Sequence, residues 1–107
     1  MVVTKMMGAK VVLGVALLVA GSVQAAGIED AMKAKNCFAC HSIDKKIVGP
    51  SYKEVAAKYK GDKSAVSKLA LKIQKGGSGV WGAVPMAPNP VTDAEAKQMA
   101  EWVLARK

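Results

Sequence analysis

Both thiols and the only imidazole of this 107-residue chain fall within five consecutive positions, Cys37-Phe38-Ala39-Cys40-His41. Any fold open to the chain must present these three groups together. Upstream, Lys5 and Lys10 precede an uncharged apolar run from Val11 to Ala20, and small residues follow as far as Val23-Gln24-Ala25. This is the pattern of a secretory signal peptide over residues 1–25. The run is roughly half the ~20 residues needed to cross a bilayer. An uncleaved anchor is the competing reading, because no charge appears until Glu29. No cysteine follows the cleavage point to take a lipid.

Cleavage after Ala25 leaves one domain over residues 26–107, 82 residues with net charge +6, since the leader carries two lysines and no carboxylate. A domain of that size is marginal unless a disulfide, metal or cofactor supplements its core. Its aromatic residues are few: Phe38, Tyr52, Tyr59, Trp81 and Trp102. Something other than side chains is therefore expected to fill the middle. Length and cysteine count exclude a second domain, a long enzyme cleft and a multi-disulfide scaffold.

Apolar positions recur at three and four, which predicts an all-α domain. A first helix is expected from Ile28 to Asn36, with Glu29 and Asp30 in its first turn, where a carboxylate suits the positive end of the dipole. A second follows the Gly49-Pro50 break, from Ser51 to Tyr59, and stops at Gly61. A third, capped by Asp62 or Ser64, runs to about Gln74 with Val66, Leu69, Ala70 and Ile73 on one face. The last opens with the capping box Thr92-Asp93-Ala94-Glu95 and carries Ala96, Met99, Ala100 and Val103 on one stripe. First and last helices are expected to pack together. Between the third and last helices lies a 15-residue loop from Gly76 to Pro90, too rich in Gly and Pro for helix or central strand. A loop that long in so small a domain is usually functional.

The spacing C-x-x-C-H is that of covalent haem attachment. Thiols at i and i+3 can each add to a haem vinyl group, and His41 is then held under the iron as a proximal ligand. Three other readings demand things the chain does not offer. A thioredoxin-like pair needs a βαβ framework. Structural zinc needs four ligands, and Cys40 and His41 are awkward chelators as sequence neighbours. A plain disulfide suits an oxidising compartment but leaves His41 and the long loop unexplained. With one histidine in the chain, the second axial position falls to methionine or stays open. Met32 and Met99 sit on helical apolar stripes, where packing is the ordinary role. Met86 lies in Val84-Pro85-Met86-Ala87-Pro88-Asn89-Pro90, where three prolines stiffen the backbone that presents it. Met86 is the expected distal ligand.

Taken together, Cys37-Phe38-Ala39-Cys40-His41, Val48-Gly49-Pro50, Gly79-Val80-Trp81-Gly82, Pro85-Met86-Ala87-Pro88-Asn89 and Trp102-Val103-Leu104 resemble the short class I bacterial c-type cytochromes, small periplasmic monohaem electron donors of the type found in denitrifying bacteria. The resemblance runs from about Ile28 to Lys107. It implies the small class I cytochrome c fold, about four helices wrapped around one covalently bound haem c. It further implies that the Pro50 carbonyl accepts the Nδ1 proton of His41, that Trp81 donates its indole N–H to a haem propionate, and that Asn89 holds the Met86 sulfur by a hydrogen bond. Lys72 stands where relatives often direct a basic residue toward a propionate. A lysine there lacks the bidentate geometry of arginine, and a solvated role competes.

An iron held by both His41 and Met86 leaves no site for substrate, so the expected role is one-electron transfer rather than catalysis. The implied protein is a periplasmic monomer shuttling electrons between a membrane quinol-oxidising complex and a terminal reductase or oxidase, such as a nitrite reductase. Methionine ligation and an apolar shell of Phe38, Ile43, Val48, Val55, Leu69 and Ile73 would both raise the potential. The rival class, a catalytic or gas-sensing haem protein with a labile Met86, finds no second histidine for distal acid–base work. Lysines crowd residues 33–75, which suggests a basic ring around an apolar patch near Phe38 and Ala39, steering the protein onto acidic docking patches of redox partners. Export and the lack of a basic recognition motif argue against nucleic acid.

Overall fold

The capping box at Thr92 organises the C-terminal part of the computed structural model, which describes Gly14 and residues 23–107. The described residues form five helices and no strand: α1 (Val23–Ala34), α2 (Cys37–Cys40), α3 (Tyr52–Lys58), α4 (Ala65–Lys75) and α5 (Asp93–Leu104). The leader expected over residues 1–25 lies outside the described residues, apart from Gly14 and its last three positions, which already belong to α1. Among the described residues no helix is long and apolar enough to cross a membrane.

Thr92 and Glu95 each satisfy the other's orphan backbone N–H: Thr92 Oγ1 accepts from Glu95 N at 3.1 Å, and Glu95 Oε1 accepts from Thr92 N at 3.3 Å. A second box of the same kind starts α3, where Ser51 Oγ accepts from Glu54 N and Glu54 Oε2 accepts from Ser51 N. α4 starts differently from expectation. Ser64 holds the N-cap position without a side-chain cap bond, and Asp62 spends its carboxylate on Ser64 and on Lys68 Nζ at 2.8 Å. The bond from Lys68, with help from Ser64, holds the Asp62 carboxyl down to about 2.

The first helix also departs from the sequence reading. It begins at Val23 rather than Ile28, so Glu29 and Asp30 sit inside it and not in its first turn. Glu29 instead pairs with Lys33 one turn on, 3.8 Å apart. The helix ends where Asn36 takes the left-handed conformation, φ 61°, which asparagine tolerates better than most residues. That single residue redirects the chain into α2, a one-turn helix that makes five helices where about four were expected.

α5 is the common partner. It packs against α1, α3 and α4, burying Ala96, Met99, Ala100, Trp102 and Val103 against Ile28 and Met32 of α1, Tyr52 and Val55 of α3 and Leu69 of α4. The pairing of first and last helices expected from their stripes is present. Phe38, Tyr52 and Trp102 meet edge to face, with ring centroids 5.2–6.0 Å apart.

Thr92→Ala removes a cap bond at the helix on which the others rest. It is expected to lower unfolding free energy by about 1 kcal/mol. Ser64→Ala loses only an exposed bond to Asp62 and should cost clearly less, as denaturant unfolding of both variants would show.

Candidate functional site

His41 follows α2 directly, and the segment after it folds back on itself. Gly49 N donates to Cys40 O at 2.7 Å, Tyr52 N to Ser42 O at 2.9 Å and Lys53 N to Ile43 O at 3.2 Å. This return brings Pro50 beside the imidazole, and His41 Nδ1 donates to the Pro50 carbonyl at 2.7 Å. A carbonyl can only accept, so Nδ1 carries the proton and Nε2 keeps a free lone pair. The close approach depends on Gly49. A Cβ there would overlap the imidazole, falling on Cε1 and within 2.8 Å of Nδ1. Tyr52 stacks on the other side of the reach, its ring centroid 5.4 Å from that of His41.

The imidazole opens onto a cleft of about 670 Å³, within the range of about 300–1,000 Å³ usual for small-molecule and cofactor sites. Cys37, Cys40, His41, Pro50, Trp81 and Met86 all line it. So do Val55, Leu69 and Ile73, together with Lys72. Met32 and Met99 reach it only from the packed core, both almost wholly buried. Among the described residues no group of three or more His, Cys, Asp or Glu side chains gathers as a metal site.

Met86 is held by its backbone. Its N–H donates to Gly77 O at 2.8 Å and its carbonyl accepts from Gly77 N at 3.0 Å. Gly76, at φ 69°, lets the two segments touch: a Cβ there would collide with the Met86 carbonyl and lie 2.9 Å from Ala87 C. Lys72 is half-buried in the cleft wall, with Nζ 3.0 Å from the place a Cβ on Gly77 would take. Trp81 is 42% exposed at the rim.

Two expectations need correction. Asn89 does not hold the Met86 sulfur; its amide donates to Ile73 O at 3.0 Å and Ala87 O at 3.4 Å, fastening the loop to the end of α4. Phe38 and Ile43 are absent from the cleft lining. Successive residues of a helix point about 100° apart, so while Cys37 faces the cleft, Phe38 turns to Tyr52 and Trp102. Val48 lines the cleft, as expected, together with Ile47, Val80 and Val84. Tyr52 was unmarked as a site residue, yet it lines the cleft with its ring buried. Its aromatic type and helical register signalled core, not site.

The donor set fits a covalently attached haem. It comprises two unpaired thiols, a tautomer-fixed imidazole and a thioether in one mostly apolar cleft. Burial pushes the Cys37 thiol above its ordinary pKa, whereas Cys40 is exposed. The buried Tyr52 hydroxyl, also raised by desolvation, has no hydrogen-bond partner. An orphan polar atom in a cleft wall is what a wall looks like when its natural neighbour is a bound group.

Residues 25–107 match the family model for cytochrome c. Cytochrome c-551 of Azotobacter vinelandii is 58% identical over 79 residues, covering 74% of this chain and 96% of that protein. Cytochrome c-552 of Hydrogenobacter thermophilus is 61% identical over 79 residues, covering 74% of this chain and 81% of the relative. In structure, wild-type Nitrosomonas europaea cytochrome c552 superposes with a TM-score of 0.70 at 50% identity, over 74% of this chain and 99% of the other. With the helical fold and the C-x-x-C-H cleft, these likenesses establish that the chain belongs to the cytochrome c family, among the small class I c-type cytochromes that carry electrons on a covalently bound haem c.

Proposed function

We propose that the protein is a periplasmic one-electron carrier whose haem c is held by Cys37 and Cys40 and ligated by His41 and Met86. The observation that carries this reading is the His41–Pro50 hydrogen bond, which leaves Nε2 free in the same cleft as Met86. Bound haem c supplies a ferric/ferrous couple that changes by one electron. The chain's own residues do the rest. Pro50 orients the imidazole and raises its basicity. Gly77 and Asn89 fix the backbone that presents Met86. Val55, Leu69 and Ile73 exclude water and disfavour the extra charge of the oxidised state, which together with a thioether ligand raises the potential. Trp81 and Lys72 stand at the cleft wall as donors for the propionates. With His41 and Met86 both holding the iron, bound haem would have no position left for substrate and would support electron transfer rather than bond chemistry.

The leader over residues 1–25 directs export and is removed, so that residues 26–107 work as a monomer in the periplasm, between a quinol-oxidising complex and a terminal reductase or oxidase. Ile47, Val48, Val80 and Val84 line the mouth of the cleft, where partners would approach the haem edge. Of the patch expected near Phe38 and Ala39, Phe38 is turned toward Tyr52 and Trp102 while Ala39 is exposed. Lys45 and Lys46 adjoin Ile47 in sequence and are exposed, whereas Lys33, Lys53 and Lys68 are committed to Glu29, Asp44 and Asp62.

If both cysteines form thioethers, haem stays with the polypeptide through extraction by acid and organic solvent; haem in the solvent phase would contradict this. Met86→Ala should let cyanide or carbon monoxide bind and should lower the potential. Met99→Leu should only perturb packing, at about 1.5 kcal/mol or less, and the reverse pattern would show that the wrong methionine has been assigned. Electron transfer to an acidic redox partner should slow as ionic strength rises, because the Debye length falls from about 10 Å at 0.1 M to about 3 Å at 1 M. Charge reversal at Lys45 should flatten that slope, and a rate indifferent to salt would mean that docking is apolar.

A further inference from the structure

The loop from Gly76 to Pro90 forms one wall of the cleft, and α3 contributes to another through Tyr52, Glu54 and Val55. The loop's hydrogen bonds are all made at its own base or within itself. Gly77 pairs with Met86, Asn89 fastens to Ile73 and Gln74, and Gly79 N closes the tip by donating to Gly82 O at 2.8 Å. None of these reaches α3.

The loop is also mechanically uneven. Pro85, Pro88 and Pro90 stiffen the part that carries Met86. Gly76, Gly77, Gly79 and Gly82, all at positive φ, make up the other part. Trp81 lies within the glycine part, between Gly79 and Gly82, so a contact on its ring acts on the stretch of loop that the prolines leave unstiffened.

One contact does span the walls. Lys58, exposed in the last turn of α3, places Nζ 5.2 Å from the centroid of the Trp81 ring, inside the ~6 Å reach of a cation–π interaction. Among the described residues Lys58 has no carboxylate partner, unlike Lys33, Lys53 and Lys68. The other cation–π pair, Arg106 over Trp102, stays within the end of α5 and its own tail and bridges nothing.

We propose that Lys58 is a positioning residue that latches the Met86 loop to α3 through the face of Trp81, so that Met86 leaves the iron only when this contact breaks. The proposal rests on the reading of Met86 as the distal ligand. It separates Lys58 from the lysines that serve solubility or docking.

The test is the limiting rate at which the ferric holoprotein binds cyanide, which at saturating cyanide reports loop opening. Lys58→Gln should raise that rate about two- to fivefold, the Boltzmann factor of an exposed cation–π contact. Lys58→Arg, which keeps a cation over the ring, should restore the slow rate. Lys60→Gln, the same charge change on a neighbouring exposed lysine, should leave the rate alone. In a Trp81→Leu background, Lys58→Gln should have no further effect. An effect that persists without Trp81, or that Lys60→Gln reproduces, would overturn the latch. A wild-type protein that binds cyanide as fast as Met86→Ala would overturn the ligand reading and the latch with it. A slow wild type matched by Lys58→Gln would overturn the latch alone.

Discussion

The hydrogen bond from His41 Nδ1 to the Pro50 carbonyl is the constraint around which the rest of the site is arranged. It sets the tautomer, and so decides which nitrogen faces the cleft. It can form only because Gly49 has no Cβ to collide with the imidazole, and because Gly49, Tyr52 and Lys53 bond back to the backbone of residues 40–43. The same return delivers Ser51 to its capping box with Glu54, which starts α3 and places Tyr52 against the imidazole. One polar contact thereby couples the orientation of the imidazole to the start of a helix.

A parallel arrangement governs the other end of the cleft. Gly76 lets the Met86 backbone lie against the end of α4, and Asn89 fastens the loop there a second time. Both clamps are glycine-permitted close approaches backed by backbone hydrogen bonds. They hold a histidine and a methionine at one cleft with few large side chains, which suits a domain whose core a cofactor completes.

What could be read from the chain was what depends on neighbours in sequence. The capping box at Thr92 is decided within one turn, and so is the C-x-x-C-H spacing, and both were legible. The stripe of Met99, Ala100 and Val103 repeats with the helical period and correctly placed α5 in the core. The failures were of two other kinds. Phe38 is expected in the apolar shell of the haem, but in a one-turn helix adjacent residues face different ways, and its ring meets Tyr52 and Trp102. The resemblance implies a bond from Asn89 to the Met86 sulfur, whereas its amide goes to Ile73, 16 residues earlier. The Lys58–Trp81 contact joins residues 23 apart in sequence on different walls, and no local pattern announces it. The start of α1 was missed because the small residues expected at a cleavage site are also good helix formers.

The central claim is that His41 and Met86 together fill both axial positions of a covalently held haem. The visible spectrum of the purified protein, taken oxidised and then reduced with and without carbon monoxide, tests it most directly. Ligation by both side chains predicts a low-spin six-coordinate spectrum in both redox states and a reduced spectrum that carbon monoxide leaves unchanged. A high-spin spectrum, or a reduced band shifted by carbon monoxide in the unaltered protein, would contradict it.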